Sequence, residues 1–292
     1  MMNYSRIIDS VDIQLLADTH IVIVGAGGSY NLILNFARSG IGKLTVLDFD
    51  TVEDSNIVRQ GYTHNDIERY KVEAVGERIA EINPDVEYEG IIENFLDMDD
   101  RELDRIFGSA DMFLFLTDSF DAQALGNILA LKYNTPALWA GWYARSRTAE
   151  IFFQIPAYTP ACFRCAVSSR YEVQEQGTVK VSSNCNTIFH SELLDSYIGM
   201  LVLGILHRED LDTTKESSQL FKGLLDDDGI LLWNFLHLKV HPLGGNPLFD
   251  EKYGPLAKHA QNFVSCWQAI EPDYGCPDCK GALHEMIKAI EL

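Results

Sequence analysis

Four cysteines in two C-x₂-C pairs are the clearest candidates for metal ligands. Cys162 and Cys165 form one pair, and Cys276 and Cys279 form the other. Each pair can chelate an ion, and four thiolates together give the closed tetrahedral coordination typical of structural zinc, which leaves no open position for catalysis. The two pairs lie further apart than in a compact zinc ribbon, so the spacing alone leaves open one shared site or four unrelated thiols.

A glycine-rich turn follows the apolar segment HIVIV. The turn contains Gly25, Gly27 and Gly28, with Tyr30 at the position of the third glycine in a G-x-G-x-x-G pattern. Glycines let the backbone approach a phosphate, and the N-terminus of the following helix offers it free N–H groups. The turn therefore indicates a nucleotide site, with an ordinary strand-to-helix turn as the alternative.

Acidic, amide and basic residues follow the next apolar segment. Asp48 and Asp50 come directly after it, where a carboxylate can accept hydrogen bonds from ribose hydroxyls. Cations can neutralise charge on a triphosphate, and amides can position its oxygens. The residues of these two kinds are Asn56, Arg59, Gln60 and Lys71. A hydride-transfer enzyme needs no such cluster, so the segment favours ATP over a nicotinamide cofactor.

The hydrophobic pattern predicts an α/β fold. Strands are expected at 20–24, 43–47, 86–92, 112–116 and 136–140, with helical segments between them. This alternation predicts a doubly wound, mostly parallel, Rossmann-like sheet with right-handed crossovers.

After about residue 145 the pattern changes. Residues 147–154 alternate like an antiparallel strand, a helix is expected at 193–206, and 230–240 are strand-like. Residues 209–228 are acidic, and 241–255 form a loop rich in glycine and proline. We therefore expect a single domain over 1–292, with a nucleotide-binding half, 1–145, and a second half, 146–292, that continues into an antiparallel part and carries the cysteine pairs.

The charge balance excludes several classes of partner. The chain has 23 Lys and Arg against 43 Asp and Glu, a net charge of −20. Such a surface repels phosphate backbones and anionic lipids, so neither a nucleic-acid nor a membrane partner is expected. The first residues lack the pattern of a signal peptide, and residues 197–206 are shorter than the roughly 20 residues of a spanning helix. A cytoplasmic location with reduced cysteines is expected.

The strings VGAGG, GIGKLTVLDFDTVEDSNIVRQ, YKVEAV and INPDV resemble the ubiquitin-activating-enzyme superfamily, in its bacterial ThiF/MoeB branch. The resemblance covers most of residues 4–206 and the second cysteine pair. It implies an enzyme that adenylates the C-terminal glycine of a small ubiquitin-fold protein ending in Gly-Gly. It also implies ATP and Mg²⁺, one structural zinc shared by both cysteine pairs, and a homodimer.

The resemblance assigns roles to single residues. Asp48 matches the ribose-binding acid, and Asn56, Arg59, Gln60 and Lys71 match the phosphate contacts. Asp118 matches the acid that holds Mg²⁺, although its position alone equally suits a helix N-cap. Arg6 matches an arginine that reaches the triphosphate across a dimer interface.

Cys185 lies in the string N-C-N-T. In ThiF-like relatives a cysteine in a similar setting can link covalently to the activated partner, and a thiolate is a good nucleophile for an acyl-adenylate. Some MoeB-like relatives carry such a cysteine without needing it, so both possibilities stay open.

The expected function is ATP-dependent adenylation with release of pyrophosphate, followed by sulfur transfer or thioester capture. A separate sulfur donor or conjugating enzyme would then be needed. The alternatives are a non-catalytic scaffold for nucleotide or a ubiquitin-like protein, suggested by Tyr30, and adenylation of a short peptide. An NAD-dependent oxidoreductase is disfavoured by Tyr30, the amide and cation string and the paired cysteines.

Overall fold

The chain folds into two compact units. The computed structural model describes residues 2–177, 185–211, 214–241, 249 and 262–290. Unit 1 comprises Met1–Ala137 with Thr187–Leu225, and unit 2 comprises Leu138–Asn186 with Asp226–Leu292. Each unit is therefore assembled from two separate stretches of chain.

Unit 1 contains parallel strands in the order β3-β2-β1-β4. They are β1 (His20–Val24), β2 (Lys43–Leu47), β3 (Glu87–Ile91) and β4 (Met112–Phe115). The apolar residues of β1 are buried along its whole length, as expected of a parallel strand covered on both faces. Because β2 and β4 flank β1 on opposite sides, the strand order reverses at β1, where open α/β sheets bind ligands.

The described helices complete both units. In chain order they are α1 (Ile13–Asp18), α2 (Tyr30–Ser39), α3 (Lys71–Ile82), α4 (Asp100–Phe107), α5 (Phe120–Tyr133), α6 (Phe163–Ala166), α7 (Ser168–Gln176), α8 (Ile188–Leu206), α9 (Glu216–Lys222) and α10 (Ala282–Ile290). Helices α6, α7 and α10 belong to unit 2, and the others belong to unit 1.

Helix α8 begins earlier than the predicted 193–206. Thr187 and His190 form a reciprocal cap that starts the helix at Ile188. Among the described residues, α8 is the one helix long and apolar enough to cross a membrane by length and composition, with a mean hydropathy of 1.3. It packs against α2 and α9, and 44% of it is buried, so its apolar composition is that of a core helix in unit 1.

Unit 2 contains strands in the order β5-β6-β7-β8. They are β5 (Ala137–Trp142), β6 (Thr148–Gln154), β7 (Phe235–Lys239) and β8 (Val264–Gln268). Strand β7 is antiparallel to both β6 and β8. The predicted combination of parallel strands, alternating helices and an antiparallel part is therefore confirmed.

The sequence predictions fail where elements are mostly exposed or short. Helix α7 lies in a polar stretch and has Tyr171 as its buried residue, and α9 lies in the acidic stretch, so neither shows an apolar stripe. Strand β7 covers five residues rather than 230–240, and just before it the Asn234 side chain donates to the Phe153 carbonyl at 2.8 Å. Strand β8 was not predicted, and most of the expected loop 241–255 lies outside the described residues.

Tyr30 is the first residue of α2, and its ring has room because residue 61 is a glycine. Its ring is 3% exposed and lies 4.4 Å, centroid to centroid, from the ring of Tyr62. A Cβ atom on Gly61 would lie 2.2 Å from Tyr30 Cδ1. The bulky residue at the third glycine position is therefore matched by a glycine 31 positions later.

We expect Gly61→Ala to lower the free energy of unfolding by about 1–3 kcal/mol, because the new methyl group overpacks the buried ring. Urea unfolding measures the change, and Gly141→Ala is the control because its Cβ would have no neighbour within 4 Å. In a Tyr30→Ala background the cost of Gly61→Ala should shrink. An equal cost in both backgrounds would show that the ring does not need the glycine.

Candidate functional site

The carboxyl ends of β1, β2 and β4 meet at one edge of the unit 1 sheet. The Leu116 N–H donates to the Val24 carbonyl at 2.9 Å, and the Gly25 N–H donates to the Leu47 carbonyl at 2.9 Å. These bonds bring together the glycine turn, which follows β1, and Asp48, which follows β2. Asp118 lies two residues beyond Leu116 on the same side of the sheet.

The glycine turn is fixed from several directions. Gly25 has a φ of +103°, and a Cβ there would lie 2.4 Å from the Leu116 carbonyl oxygen, so only glycine fits. The Ser29 hydroxyl donates to the Gly25 carbonyl at 2.6 Å, and the Tyr62 hydroxyl donates to the Ala26 carbonyl at 2.6 Å. The turn is thus held in place without a ligand.

Asp48 connects the turn to β2. One carboxylate oxygen accepts the Ala26 N–H at 2.7 Å, and the other accepts the Asp50 N–H at 2.9 Å. Burial raises the pKa of Asp48, while the positive charge of Lys71 and the two N–H groups oppose that rise. Each oxygen keeps a second lone pair, so the carboxylate can still accept a hydrogen bond from a hydroxyl group.

Lys71, at the start of α3, forms an ion pair with Asp50. Its Nζ lies 2.7 Å from an Asp50 carboxylate oxygen, and the Lys71 side chain is 8% exposed. A buried ammonium group needs a charged partner, and Asp50 supplies one. Two of the predicted residues therefore form one ion pair beside Asp48, in which the ammonium charge is balanced by a carboxylate.

The segment after β2 positions Arg59 and Gln60. The Asn56 side-chain oxygen accepts the Glu53 N–H at 3.0 Å, and its carbonyl accepts the N–H groups of Arg59 and Gln60 at 3.0 and 2.8 Å. Asn56 is buried and builds this turn, and its role as a phosphate contact stays a prediction.

Gln60 faces the glycine turn. Its side chain is 6% exposed, and a Cβ on Gly27 would lie 3.1 Å from its Nε2 atom. Its Oε1 atom has no hydrogen-bond partner in the described part of the chain. Buried acceptors are nearly always satisfied, so an unpaired one at this position is a ready contact for a ligand.

The remaining predicted site residues of unit 1 are Asp118, Arg6 and Gly28. Asp118 is exposed and is not the N-cap of α5, because Ser119 takes that role and its hydroxyl accepts the Ala122 N–H. The cap alternative for Asp118 is therefore wrong. Arg6 is exposed in the N-terminal turns of the chain.

Two residues of the site were not predicted from the sequence. Tyr62 bonds to the glycine turn, as described above. Ser191 of α8 donates its hydroxyl to the Arg59 carbonyl at 3.0 Å. The sequence shows Ser191 only as a serine close to an apolar segment, and this pattern does not specify which residue it contacts.

In unit 2 the two cysteine pairs meet at one place. The Sγ atom of Cys162 lies 3.7 Å from the Sγ atoms of Cys165 and Cys276, and the Sγ atom of Cys165 lies 3.6 Å from that of Cys279. All four sulfurs lie within 4.8 Å of one another and could hold a metal ion. Zn–S bonds of about 2.3 Å require sulfurs about 3.8 Å apart in a tetrahedron, so the geometry fits one shared zinc.

An ion pair joins the two cysteine pairs. Arg164 lies between the first two cysteines and Asp278 between the last two, and their side chains are 3.2 Å apart. The Arg164 guanidinium also lies over the Tyr171 ring, 4.2 Å from its centroid. The cluster is thus supported by helix α7. Cys185, also in unit 2, is exposed with a φ of +73°.

The ThiF family model matches residues 2–219 of the chain. The chain belongs to the ThiF family. This membership confirms the resemblance drawn from the nucleotide-site strings. Two curated relatives illustrate it. Ubiquitin-like modifier-activating enzyme 5 of Drosophila erecta is 34% identical over 165 residues, which cover 53% of this chain and 41% of that protein. The sulfur carrier protein ThiS adenylyltransferase of Escherichia coli K12 is 30% identical over 171 residues, which cover 56% of this chain and 66% of that protein. The matches thus span less than two thirds of either relative.

Solved structures confirm the fold. Escherichia coli MccB with ATP superposes with a TM-score of 0.63 at 16% identity, covering 91% of this chain and 68% of MccB. PaaA superposes with a TM-score of 0.61 at 19% identity, covering 88% of this chain and 75% of PaaA. The ThiF-family fold of this chain therefore extends beyond the segment matched in sequence.

We expect one zinc ion per chain when the purified protein is measured by elemental analysis. Cys276→Ser should reduce the bound zinc to well under half, because three thiolates no longer close the tetrahedron. Cys266→Ser is the matched control, since Cys266 is buried but outside the cluster. Equal zinc loss in both variants would point to general unfolding rather than loss of a ligand.

Proposed function

We propose that this chain adenylates the C-terminal carboxylate of a small ubiquitin-fold protein with ATP. The observation that carries the proposal is the arrangement at the strand-order reversal of unit 1. There the glycine turn, Asp48 and the Lys71–Asp50 pair lie at adjacent strand ends. Membership of the ThiF family and the activating and adenylyltransferase names of its relatives support this reaction.

Each side of the nucleotide would meet a different chemical group. Asp48 would accept hydrogen bonds from the ribose, and the N–H groups at the start of α2 would face the phosphates. Lys71 and Arg59 would offset phosphate charge. Gln60 would accept a hydrogen bond from the bound nucleotide with its unpaired carbonyl oxygen, or donate one with its NH₂ group.

The reaction is a substitution at the α-phosphorus. A carboxylate oxygen of the partner's terminal glycine forms a bond to the α-phosphorus. The bond from that phosphorus to the oxygen bridging to the β-phosphate breaks, and pyrophosphate leaves with the electron pair. The protein contributes positioning and charge stabilisation, so no proton needs to move in this step.

Metal ions would have separate roles. Asp118 would hold Mg²⁺ near the phosphates, where the ion would neutralise charge on the departing pyrophosphate. The four cysteines of unit 2 would hold zinc, and their closed coordination suits a structural role.

Cys185 is the proposed acceptor of the activated acyl group. Its thiolate would attack the acyl-adenylate carbonyl, forming a thioester and releasing AMP. A separate sulfur donor or conjugating enzyme would then act on the product. The exposed Arg6 would serve the triphosphate of the second subunit in a homodimer.

The scaffold alternative loses its motivation. Tyr30 suggested a reshaped nucleotide pocket, but its ring packs beside Tyr62 and over Gly61 instead. The glycine turn keeps the positive φ of Gly25 and its bonds to Asp48. A substituted third glycine is therefore compatible with a working turn.

We expect ATP–pyrophosphate exchange that depends on a ubiquitin-fold partner ending in Gly-Gly. Arg59→Ala and Asp118→Ala should each lower the exchange rate at least about 100-fold, because each removes charge stabilisation of the phosphates. Arg101→Ala, an exposed arginine on α4, is the control and should keep the wild-type rate.

Exchange measured with a panel of ubiquitin-fold proteins and short peptides distinguishes the proposed function from its alternatives. Exchange with short peptides but with no ubiquitin-fold protein would replace the proposed substrate class. ATP binding without exchange for any member of the panel would favour the scaffold. Binding of NAD without ATP would overturn the nucleotide assignment.

A further inference from the structure

The first turns of α8 lie on the proposed phosphate-binding segment of unit 1. The Ser191 hydroxyl donates to the Arg59 carbonyl at 3.0 Å, and Ser191 is 5% exposed. The same hydroxyl oxygen would lie 3.7 Å from a Cβ atom on Gly28. One buried side chain of α8 therefore bonds to the Arg59 segment and lies beside the glycine turn.

Further residues attach α8 to the first turn of α2. The Asn31 side-chain amide donates to the Glu192 carboxylate at 3.1 Å. Asp195 is 6% exposed, and burial raises the pKa of its carboxyl group, while the nearby Leu32 N–H of α2 opposes that rise. Ser191 and Asp195 are four residues apart and share one face of the helix. The start of α8 is thus fixed to both elements that would surround the phosphates.

The same helix start is covalently next to Cys185. Thr187 caps α8, with its hydroxyl 2.8 Å from His190 Nδ1 and its N–H donating to that nitrogen at 3.2 Å. One residue, Asn186, separates the capped Thr187 from Cys185. Cys185 has a φ of +73°, a left-handed backbone conformation that is costly for a residue other than glycine.

We propose that Ser191 is a positioning residue that couples nucleotide at Arg59 to the conformation of Cys185. Phosphates that attract the Arg59 side chain also fix its backbone carbonyl, and the Ser191 hydrogen bond passes that restraint to the first turn of α8. The chain then restrains Cys185. The inference rests on the proposed function in placing ATP phosphates at Arg59.

The test measures the reactivity of Cys185 without any protein substrate. Iodoacetamide alkylates the full-length protein with and without saturating Mg-ATP, and mass spectrometry of the Cys185 peptide gives the rate. ATP should slow this rate at least about threefold in the wild type. In Ser191→Ala, ATP should leave the rate unchanged while binding about three- to tenfold more weakly, the effect of one lost hydrogen bond.

Two further variants separate coupling from general damage. The exposed Ser196 hydroxyl bonds to the Glu192 carbonyl at 2.8 Å on the same helix, so Ser196→Ala should respond to ATP like the wild type. Ser191→Thr keeps a hydroxyl group and should restore the response. A full response in Ser191→Ala, or loss of response in Ser196→Ala, overturns the role of Ser191.

Direct measurement of ATP binding distinguishes a failure of the coupling from a failure of the proposed function. Bound ATP with no change at Cys185 in the wild type overturns the coupling and leaves the proposed function intact. Absence of ATP binding overturns the proposed function and the coupling together.

Discussion

The hydrogen bond from the Ala26 N–H to the Asp48 carboxylate is the contact on which the arrangement of unit 1 depends. It joins the turn after β1 to the end of β2, and Asp48 also receives the Asp50 N–H. Asp50 in turn pairs with Lys71. A single carboxylate therefore sets the relative positions of the backbone donors and of the buried cation. Its own burial works against ionisation, and the nearby positive charge of Lys71 compensates.

The parallel part of the fold and the identity of the site segments follow from the sequence because both rest on local patterns. Buried strands such as β1 are continuous apolar runs, and a glycine with positive φ must follow at Gly25. The contacts of Ser191 and Tyr62 could not be predicted in the same way. Each joins residues far apart in the chain, and neither a serine in an apolar helix nor a tyrosine after a glycine specifies its partner.

The cysteine cluster is another feature that the sequence predicts only in part. The C-x₂-C spacing predicts chelation, but a shared site needs four sulfurs at one point, which only the folded chain establishes. Arg164 and Asp278 strengthen that conclusion, since residues from inside both pairs meet across the cluster.

The division of the chain has a consequence for the order of synthesis. The last residue of unit 1 is Leu225, whereas the cysteines that meet in unit 2 are 114 positions apart, on both sides of the segment that unit 1 takes. The ribosome therefore delivers every part of unit 1 before the second cysteine pair emerges. Until then Cys162 and Cys165 are two thiols without the second pair that closes the cluster. Two such thiols can be oxidised or can bind other metal ions before the site is complete.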